Sequence, residues 1–345
     1  MDSLLSLAQI WTWDLSSLLK STVLLMLGSL LLVAVVAKFF NSQVTICKNL
    51  TTRFDGKTIV ITGGTKGVGF EASRQFLSRG CRLVIGDPDP DHARQVADVL
   101  QKDVAGCGSV VVLQLDLSCM SSVRKFADKI LRTEKSLDVL VLNACVPASR
   151  TKQTTAEGFE RTMAANYLGH FLLTNLLFGL MKVTSNSRVV VTVSQLYSLL
   201  RNINPTDLLF KDERYTVIRA NALSQVCLVL FTRHFAILAS RYGVLVNCFS
   251  PGFVRTDDYD KSVDFVTGRL RYWAAMVVGR TAFQGSQTLL FLATAGEGTC
   301  ASAGYFVDCH SRQLSELVSN DGLARKVFEA TEDIVKLTKQ EKRYY

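Results

Sequence analysis

The stretch Thr62-Gly-Gly-Thr-Lys-Gly-Val-Gly69 follows a run of β-branched residues and opens a segment of helical spacing. Glycines at 63, 67 and 69 let a backbone turn sharply, approach a pyrophosphate and pack the next helix close to the strand. The helix N-terminus then presents free N–H groups to phosphate oxygens. Further on, "IGDPDP" ends the second such run, and its Asp87 can accept hydrogen bonds from an adenosine ribose while repelling a 2′-phosphate. Lys66 inside the turn acts the other way, since a cation there would meet the same 2′-phosphate. The carboxylate faces the ribose directly, so NAD is favoured over NADP.

These residues need a scaffold, and the chain supplies a repeating one. "KTIVIT" (57–62), "RLVIG" (82–86), "SVVVLQL" (109–115), "LDVLVL" (137–142), "SRVVVTVS" (187–194) and "VLVNCFS" (244–250) are short, almost wholly apolar runs. Strands buried on both faces of a parallel sheet read this way. Segments of helical spacing at 68–79, 89–102, 119–133, 157–182 and 222–241 lie between them. The alternation predicts an α/β fold, a Rossmann-type doubly wound parallel sheet in a single domain. A length of 345 residues with 48% hydrophobic content and five prolines suits such a body plus an appendage. The formal charge of +9 is scattered and not interleaved with aromatics, which argues for solvated surface charge and no nucleic acid. Nine dispersed cysteines, without a Cys-x-x-Cys pair, suit a reducing compartment and no metal site.

From Ser21 to Ala37 the chain carries no charge, and Lys20 and Lys38 bracket the run. Continued to Phe40, it is long enough to cross a bilayer at about 1.5 Å per residue. Trp11 and Trp13 suit an interface, and more Lys and Arg follow the span than precede it, which places the large domain on the cytosolic side. A cleaved signal peptide is the alternative, with Val35 and Ala37 as the cleavage signature, but Asp2 and Asp14 make a poor basic leader. Asn49 begins a glycosylation sequon that matters only on a lumenal side. The expected organisation is an N-terminal segment (1–20), an anchor (21–40), a linker (41–54), the α/β domain (55–312) and a helical tail (313–345).

Over residues 55–310 the chain resembles the short-chain dehydrogenase/reductase family, and within it the membrane-anchored retinol-dehydrogenase-like branch. The likeness rests on Thr62–Gly69, "LDLS" (115–118), "NYLGHFLLTNLL" (166–177), "SRVVVTVS" (187–194), "PGFVRT" (251–256) and "GYFVDC" (304–309), in that order and spacing. The resemblance implies a dinucleotide across the C-terminal edge of the sheet. Its contacts would be Gly63, Thr65, Lys66, Gly67, Val68, Gly69, Asp87, Asp116, Leu117, Asn143, Gln225, Pro251 and Thr256. Asp116 would serve the adenine region and Thr256 the nicotinamide carboxamide. Where the family has Asn-Asn-Ala-Gly, this chain has Leu142-Asn-Ala-Cys145. The cysteine is expected to crowd the backbone near the cofactor.

The family's chemistry is hydride transfer between nicotinamide and a carbinol carbon. A tyrosinate takes the hydroxyl proton, a lysine four residues on lowers its pKa and holds the ribose, a serine positions the oxygen and an asparagine holds a relay water. Ser194 and Asn166 match the last two. An ungapped count back from Pro251-Gly252 puts Asn221 at the tyrosine position and Gln225 at the lysine position. An amide neither titrates near neutral pH nor carries charge to depress a neighbour's pKa. Tyr215, with Arg219 four residues on, is the nearest substitute. Placed six residues early on a helix, it would be rotated by about 240° and displaced by about 9 Å.

Residues 257–280 correspond to the family's substrate-covering insertion, with aromatic, apolar and basic residues suited to a lipid-like ligand or a membrane surface. Three readings follow. One is a membrane-anchored NAD(P)-binding relative with crippled catalysis, a pseudoenzyme. Another is an active NAD(P)-dependent dehydrogenase/reductase of a lipophilic alcohol (retinoid, steroid or polyprenol) working through Tyr215 or another relay. The last is a membrane-bound interaction protein without cofactor. The expected partners are a lipophilic small molecule, membrane lipid and, as the family often pairs, a second copy in a homodimer; the expected site is the endoplasmic reticulum membrane.

Overall fold

The computed structural model describes Ser17 and residues 19–35, 52–212, 214–255, 279–295 and 300–342. Thr256, most of the 257–280 insertion, Trp11 and Trp13, residues 36–40 of the apolar span, Cys47 and the Asn49 sequon lie outside the described residues. The chain divides into two units, Met1–Val44 with Asp257–Arg280 and Thr45–Thr256 with Thr281–Tyr345. In the first, α1 (Leu19–Val35) is an apolar helix with its leucines and valines largely exposed. It is about 25 Å long at about 1.5 Å per residue.

The second unit is built on one sheet of eight strands. These are β1 (Thr58–Thr62), β2 (Arg82–Asp87), β3 (Ser109–Gln114), β4 (Val139–Leu142), β5 (Arg188–Thr192), β6 (Leu245–Ser250), β7 (Tyr305–Val307) and β8 (His310–Arg312). Their order is β3-β2-β1-β4-β5-β6-β7-β8, parallel throughout except for the antiparallel β7–β8 pair. The strand order reverses direction between β1 and β4, and the crevice at their carboxyl ends is where open α/β sheets bind ligands. Both strands are wholly buried, as the apolar runs predict for strands covered on two faces. The hairpin to β8 was not legible as a strand in the sequence, because "HSR" is short and polar. Asp308 and Cys309 both take positive φ, the conformation a two-residue hairpin turn requires.

One face of the sheet is covered by α2 (Gly67–Leu77), α3 (Pro90–Asp103) and α8 (Ala282–Thr294). On the other face lie α4 (Met120–Thr133), α6 (Gly169–Lys182) and α7 (Val217–Ser240). The helix expected over 157–182 is broken up. Glu160 caps the short α5 (Arg161–Met163) by accepting from Thr162 and Met163 N–H, and a π-helical turn, Ala164–Leu168, precedes α6. The α7 helix starts five residues earlier than the apolar spacing from 222 indicated, because Thr216 accepts the Arg219 N–H as an N-cap. It is long and apolar enough to cross a membrane, yet it is mostly buried inside the domain.

After β8 come α9 (Glu316–Ser319) and α10 (Asp321–Ile334), and α10 lies along α7. Phe328 is its main anchor, with ring centroids 4.8 Å from Phe171, 6.3 Å from Phe231 and 6.4 Å from Phe235. Thr331 donates to Val327 O at 2.6 Å, so the buried Tyr167 hydroxyl donates to Thr331 Oγ1, 2.8 Å away. Tyr167 is the neighbour of Asn166 in the π turn, and this bond ties that turn to the end of the chain. Truncating Phe328 to alanine should cost about 3–5 kcal/mol, read as a lowered midpoint in urea unfolding with little change in slope.

Candidate active site

The glycine turn is held by contacts that leave no room for side chains. Gly63 has φ +65°, and a Cβ there would lie 2.9 Å from Ala144 Cα. At Gly69 a Cβ would meet the Gly63 carbonyl oxygen at 2.0 Å and Asn143 Nδ2 at 2.6 Å. Asn143 is the clamp: its amide donates to Gly63 O at 3.0 Å, and its Oδ1 accepts from Thr192 Oγ1 at 3.3 Å. One side chain thereby joins the carboxyl ends of β1, β4 and β5. Lys66, exposed, occupies the N-cap of α2 without a side-chain hydrogen bond to the helix, so no side chain competes for the first-turn N–H groups. That arrangement suits a phosphate. Val68, Val254 and Pro251 close around Gly285 of α8, bringing the start of α2 and the segment after β6 together.

Behind the turn, Thr62 Oγ1 accepts the N–H groups of Asn143 (2.9 Å) and Ala144 (3.1 Å) and lies 2.9 Å from His170 Nε2. The other ring nitrogen, Nδ1, is 2.8 Å from Asn166 O, a carbonyl that can only accept. The partners therefore assign the proton to Nδ1 and make Nε2 the acceptor of the Thr62 hydroxyl. Burial pushes the His170 pKa down to about 4, in keeping with a neutral ring.

Asp87 ends β2 nearly buried, with Oδ2 taking the Thr65 hydroxyl at 2.7 Å and Oδ1 the Asp89 N–H at 3.0 Å. A concave cleft runs past it, lined among others by Gly63, Pro88, Asp116, Leu117, Cys145 and Asn166. Asp116 is exposed in this cleft, its Oδ1 bonded to Ser118 N–H (2.9 Å) and hydroxyl (2.7 Å). With an apolar wall at Leu117, the cleft and the glycine turn fit a dinucleotide's adenosine and phosphates. Cys145 does not crowd Gly63, since Ala144 is the close neighbour there. Cys145 lines the cleft, with its sulfur 3.9 Å from Gln225 Nε2 and its pKa pushed up to about 11 by burial.

At the other end Ser194, Asn166, Asn221 and Gln225 come together. Gln225 is buried on α7, and its Oε1 accepts the Ser194 N–H at 2.7 Å. Asn221, one turn earlier, accepts the Ala148 N–H at 3.2 Å and donates to Val217 O at 3.0 Å. Asn166 is held against Val146, accepting its N–H at 2.8 Å and donating to its carbonyl at 3.0 Å, with Ser224 Oγ 3.4 Å from the same amide nitrogen. Ser194 Oγ accepts the Leu196 N–H at 3.3 Å and caps a 3₁₀ turn, Gln195–Leu199. Tyr215 lies just before the N-cap of α7, where its hydroxyl donates to Ser149 O at 2.7 Å and its ring packs on Phe210. Burial and the charge of Glu160 hold this phenol above the usual tyrosine range.

Two aromatic residues near Ser194 escaped the sequence reading. Tyr197 in the 3₁₀ turn and Tyr305 on β7 pack edge-to-face at 5.4 Å and line a second cleft with Gln195, Ser198, Val307 and Arg312. The "SQLYSLL" run beside Ser194 was the available signal; nothing in the sequence pointed to Tyr305.

A doubly wound sheet with a glycine turn, an aspartate after β2 and polar side chains converging at the β5 end defines a dinucleotide-type α/β protein. Residues 57–202 match the short chain dehydrogenase family. Human retinol dehydrogenase 14 is 34% identical over 300 residues, covering 82% of this chain and 88% of its own. A solved but uncharacterized protein from Mycobacterium paratuberculosis superposes with a TM-score of 0.64 at 25% identity, over 82% of this chain and 95% of the other. A Burkholderia cenocepacia short chain dehydrogenase, solved in complex with NADP, gives 0.58 at 20% identity, over 74% and 96%. The chain belongs to the short-chain dehydrogenase/reductase family, an oxidoreductase family, in its retinol-dehydrogenase-like branch.

Two outcomes follow from the geometry. Gln225→Leu leaves the Ser194 N–H without its acceptor and should cost about 1–3 kcal/mol in chemical unfolding. For His170, a folded pKa of about 4 against an ordinary 6.5 means that unfolding takes up a proton between those values. Its contribution is therefore complete above about pH 6.5 and declines as pH falls to about 4, by about 1.4 kcal/mol per unit. Unfolding free energies measured across this window should fall less steeply in His170→Gln.

Proposed function

We propose that this chain is a membrane-anchored dinucleotide-binding member of its family whose acid–base pair has been replaced by two structural amides, leaving it a weak catalyst or a pseudoenzyme. The observation that carries the reading is the use made of those amides. Gln225 spends its oxygen on the Ser194 N–H and Asn221 spends its oxygen on the Ala148 N–H. Neither side chain titrates near neutral pH, so neither can take a proton from a carbinol hydroxyl or stabilise a tyrosinate. Tyr215 is a poor replacement: its raised pKa works against a base, and its proton is directed at Ser149 O.

On this reading the glycine turn and Asp116 hold the adenosine half, Asn143 and Gln225 stand beside the nicotinamide half, and Asp87 favours NAD. When bound, the dinucleotide would accept the hydride of an alcohol in its oxidised form, or supply one to a carbonyl in its reduced form; the chain's own share is to bind and orient it, with Ser194 and Asn166 placed to meet a hydroxyl. The ligand is a lipophilic alcohol or its carbonyl, in line with relatives named as retinol dehydrogenases. The exposed apolar helix α1 serves as the single-pass anchor in the endoplasmic reticulum membrane, with the domain on the cytosolic side.

The test compares full-length protein in detergent micelles with an Asn221→Tyr/Gln225→Lys variant, measuring NADH and NADPH affinity and retinol oxidation. The natural chain should bind NADH more tightly than NADPH and show almost no turnover, while activity appears in the double variant. Oxidation by the natural chain at about 1 s⁻¹ or faster, within the usual enzymatic range, overturns the reading. If Tyr215→Phe abolishes that oxidation, the active-dehydrogenase alternative takes its place.

A further inference from the structure

We propose that the second cleft, floored by Tyr197 and Tyr305 and edged by Arg312, binds the anionic group of a small amphiphile, a carboxylate or a phosphate ester. The inference deepens the reading above, since it rests on the Ser194 end of the sheet being the substrate end. It draws on residues outside the acid–base pair and the nucleotide cleft.

Strand register brings the groups together. Arg312 on β8 pairs directly with Tyr305 on β7, and Val307 follows two residues after Tyr305. Side chains alternate along a strand, so these three share one face of the hairpin. The 3₁₀ turn that Ser194 caps brings in Gln195, Tyr197 and Ser198 from the other side. The cleft is open to solvent and offers about 400 Å³, within the range of small-molecule sites.

The chemistry of the lining favours an anion. Arg312 supplies a guanidinium that makes no hydrogen bond or ion pair among the described residues, and the Gln195 side-chain amide is likewise uncommitted. Among the described residues, no aspartate or glutamate lines the cleft. Beneath them the two phenol rings are buried and pack edge-to-face, and both line the cleft. A single exposed ion pair would hold an anion only weakly. Guanidinium, amide and phenol donors converging on one space provide the directional bonds that strengthen it.

The surroundings supply the apolar part. Leu196 and Leu199, one 3₁₀ turn apart, are 42% and 56% exposed beside the cleft residues, and Val307 lines its wall. A ligand with an anionic end and an apolar body satisfies both surfaces.

The test uses the full chain in dodecyl maltoside micelles, titrated calorimetrically with phenyl phosphate, benzoate, benzyl alcohol and benzylamine while saturated with NADH. The same titrations are run on Arg312→Gln, Arg312→Lys and Tyr197→Phe, and NADH affinity is measured on every sample. One of the two anions should bind at least tenfold tighter than benzyl alcohol, and the tighter one identifies phosphate or carboxylate as the natural group. Arg312→Gln should weaken it at least tenfold and Tyr197→Phe several-fold, with Arg312→Lys retaining most of the affinity and NADH binding unchanged throughout. Equal binding of anion and alcohol, or anion binding indifferent to Arg312→Gln, overturns the inference. Failure to bind NADH with Arg312-dependent anion binding intact defeats the dinucleotide reading instead, so the two fail separately.

Discussion

The candidate site depends on one close approach, that of α2 to the end of β1 at Gly69. With a Cβ position only 2.0 Å from the Gly63 carbonyl, the helix can start where it does only because residue 69 has no side chain. The Asn143 amide fills the remaining space and fastens the same carbonyl to β4 and, through Thr192, to β5. The crevice at the strand-order reversal is therefore shaped by packing and backbone hydrogen bonds. Its ability to receive phosphates follows from that shape and from the uncapped start of α2. Behind it, the Thr62–His170–Asn166 chain carries the same constraint to the π turn, so the phosphate end and the Ser194 end are braced by one network.

Within that brace, Asn221 and Gln225 act as struts. On the proposed reading, these are the positions at which the family's chemistry uses a phenolate and an ammonium. Here each carboxamide oxygen is directed at a backbone N–H. The two oxygens satisfy backbone donors that would otherwise need partners. Catalysis and stability place opposite demands on these side chains, because a group engaged in a backbone hydrogen bond is no longer free to move a proton.

The rest of the domain preserves this geometry. The α10 helix closes the α7 side through Phe328, and its bond from Thr331 to Tyr167 reaches the residue next to Asn166. At the far edge of the sheet, the β7–β8 hairpin brings Arg312 opposite Tyr305. The two ends of the sheet edge thereby differ in character: one is a glycine turn shaped for a pyrophosphate, and the other is a polar cleft bordered by exposed leucines.

Much of this was legible in residue order. The apolar runs marked the first six strands closely, and five of them are largely buried as that pattern predicts, whereas β3, at the sheet edge, is only half-buried. The glycine turn announced itself through the spacing of three glycines between a strand and a helix. What the sequence left open depends on contacts between residues far apart in the chain. The π turn at Asn166, the early start of α7 at a threonine cap and the β8 strand in "HSR" are set by capping and pairing that local periodicity does not encode. The destinations of the two amides, the tautomer of His170 and the meeting of Tyr197 with Tyr305 and Arg312 were likewise decided only by tertiary structure. A hydrogen bond is fixed by distance and direction between two partners, whereas the sequence names only the groups able to form one.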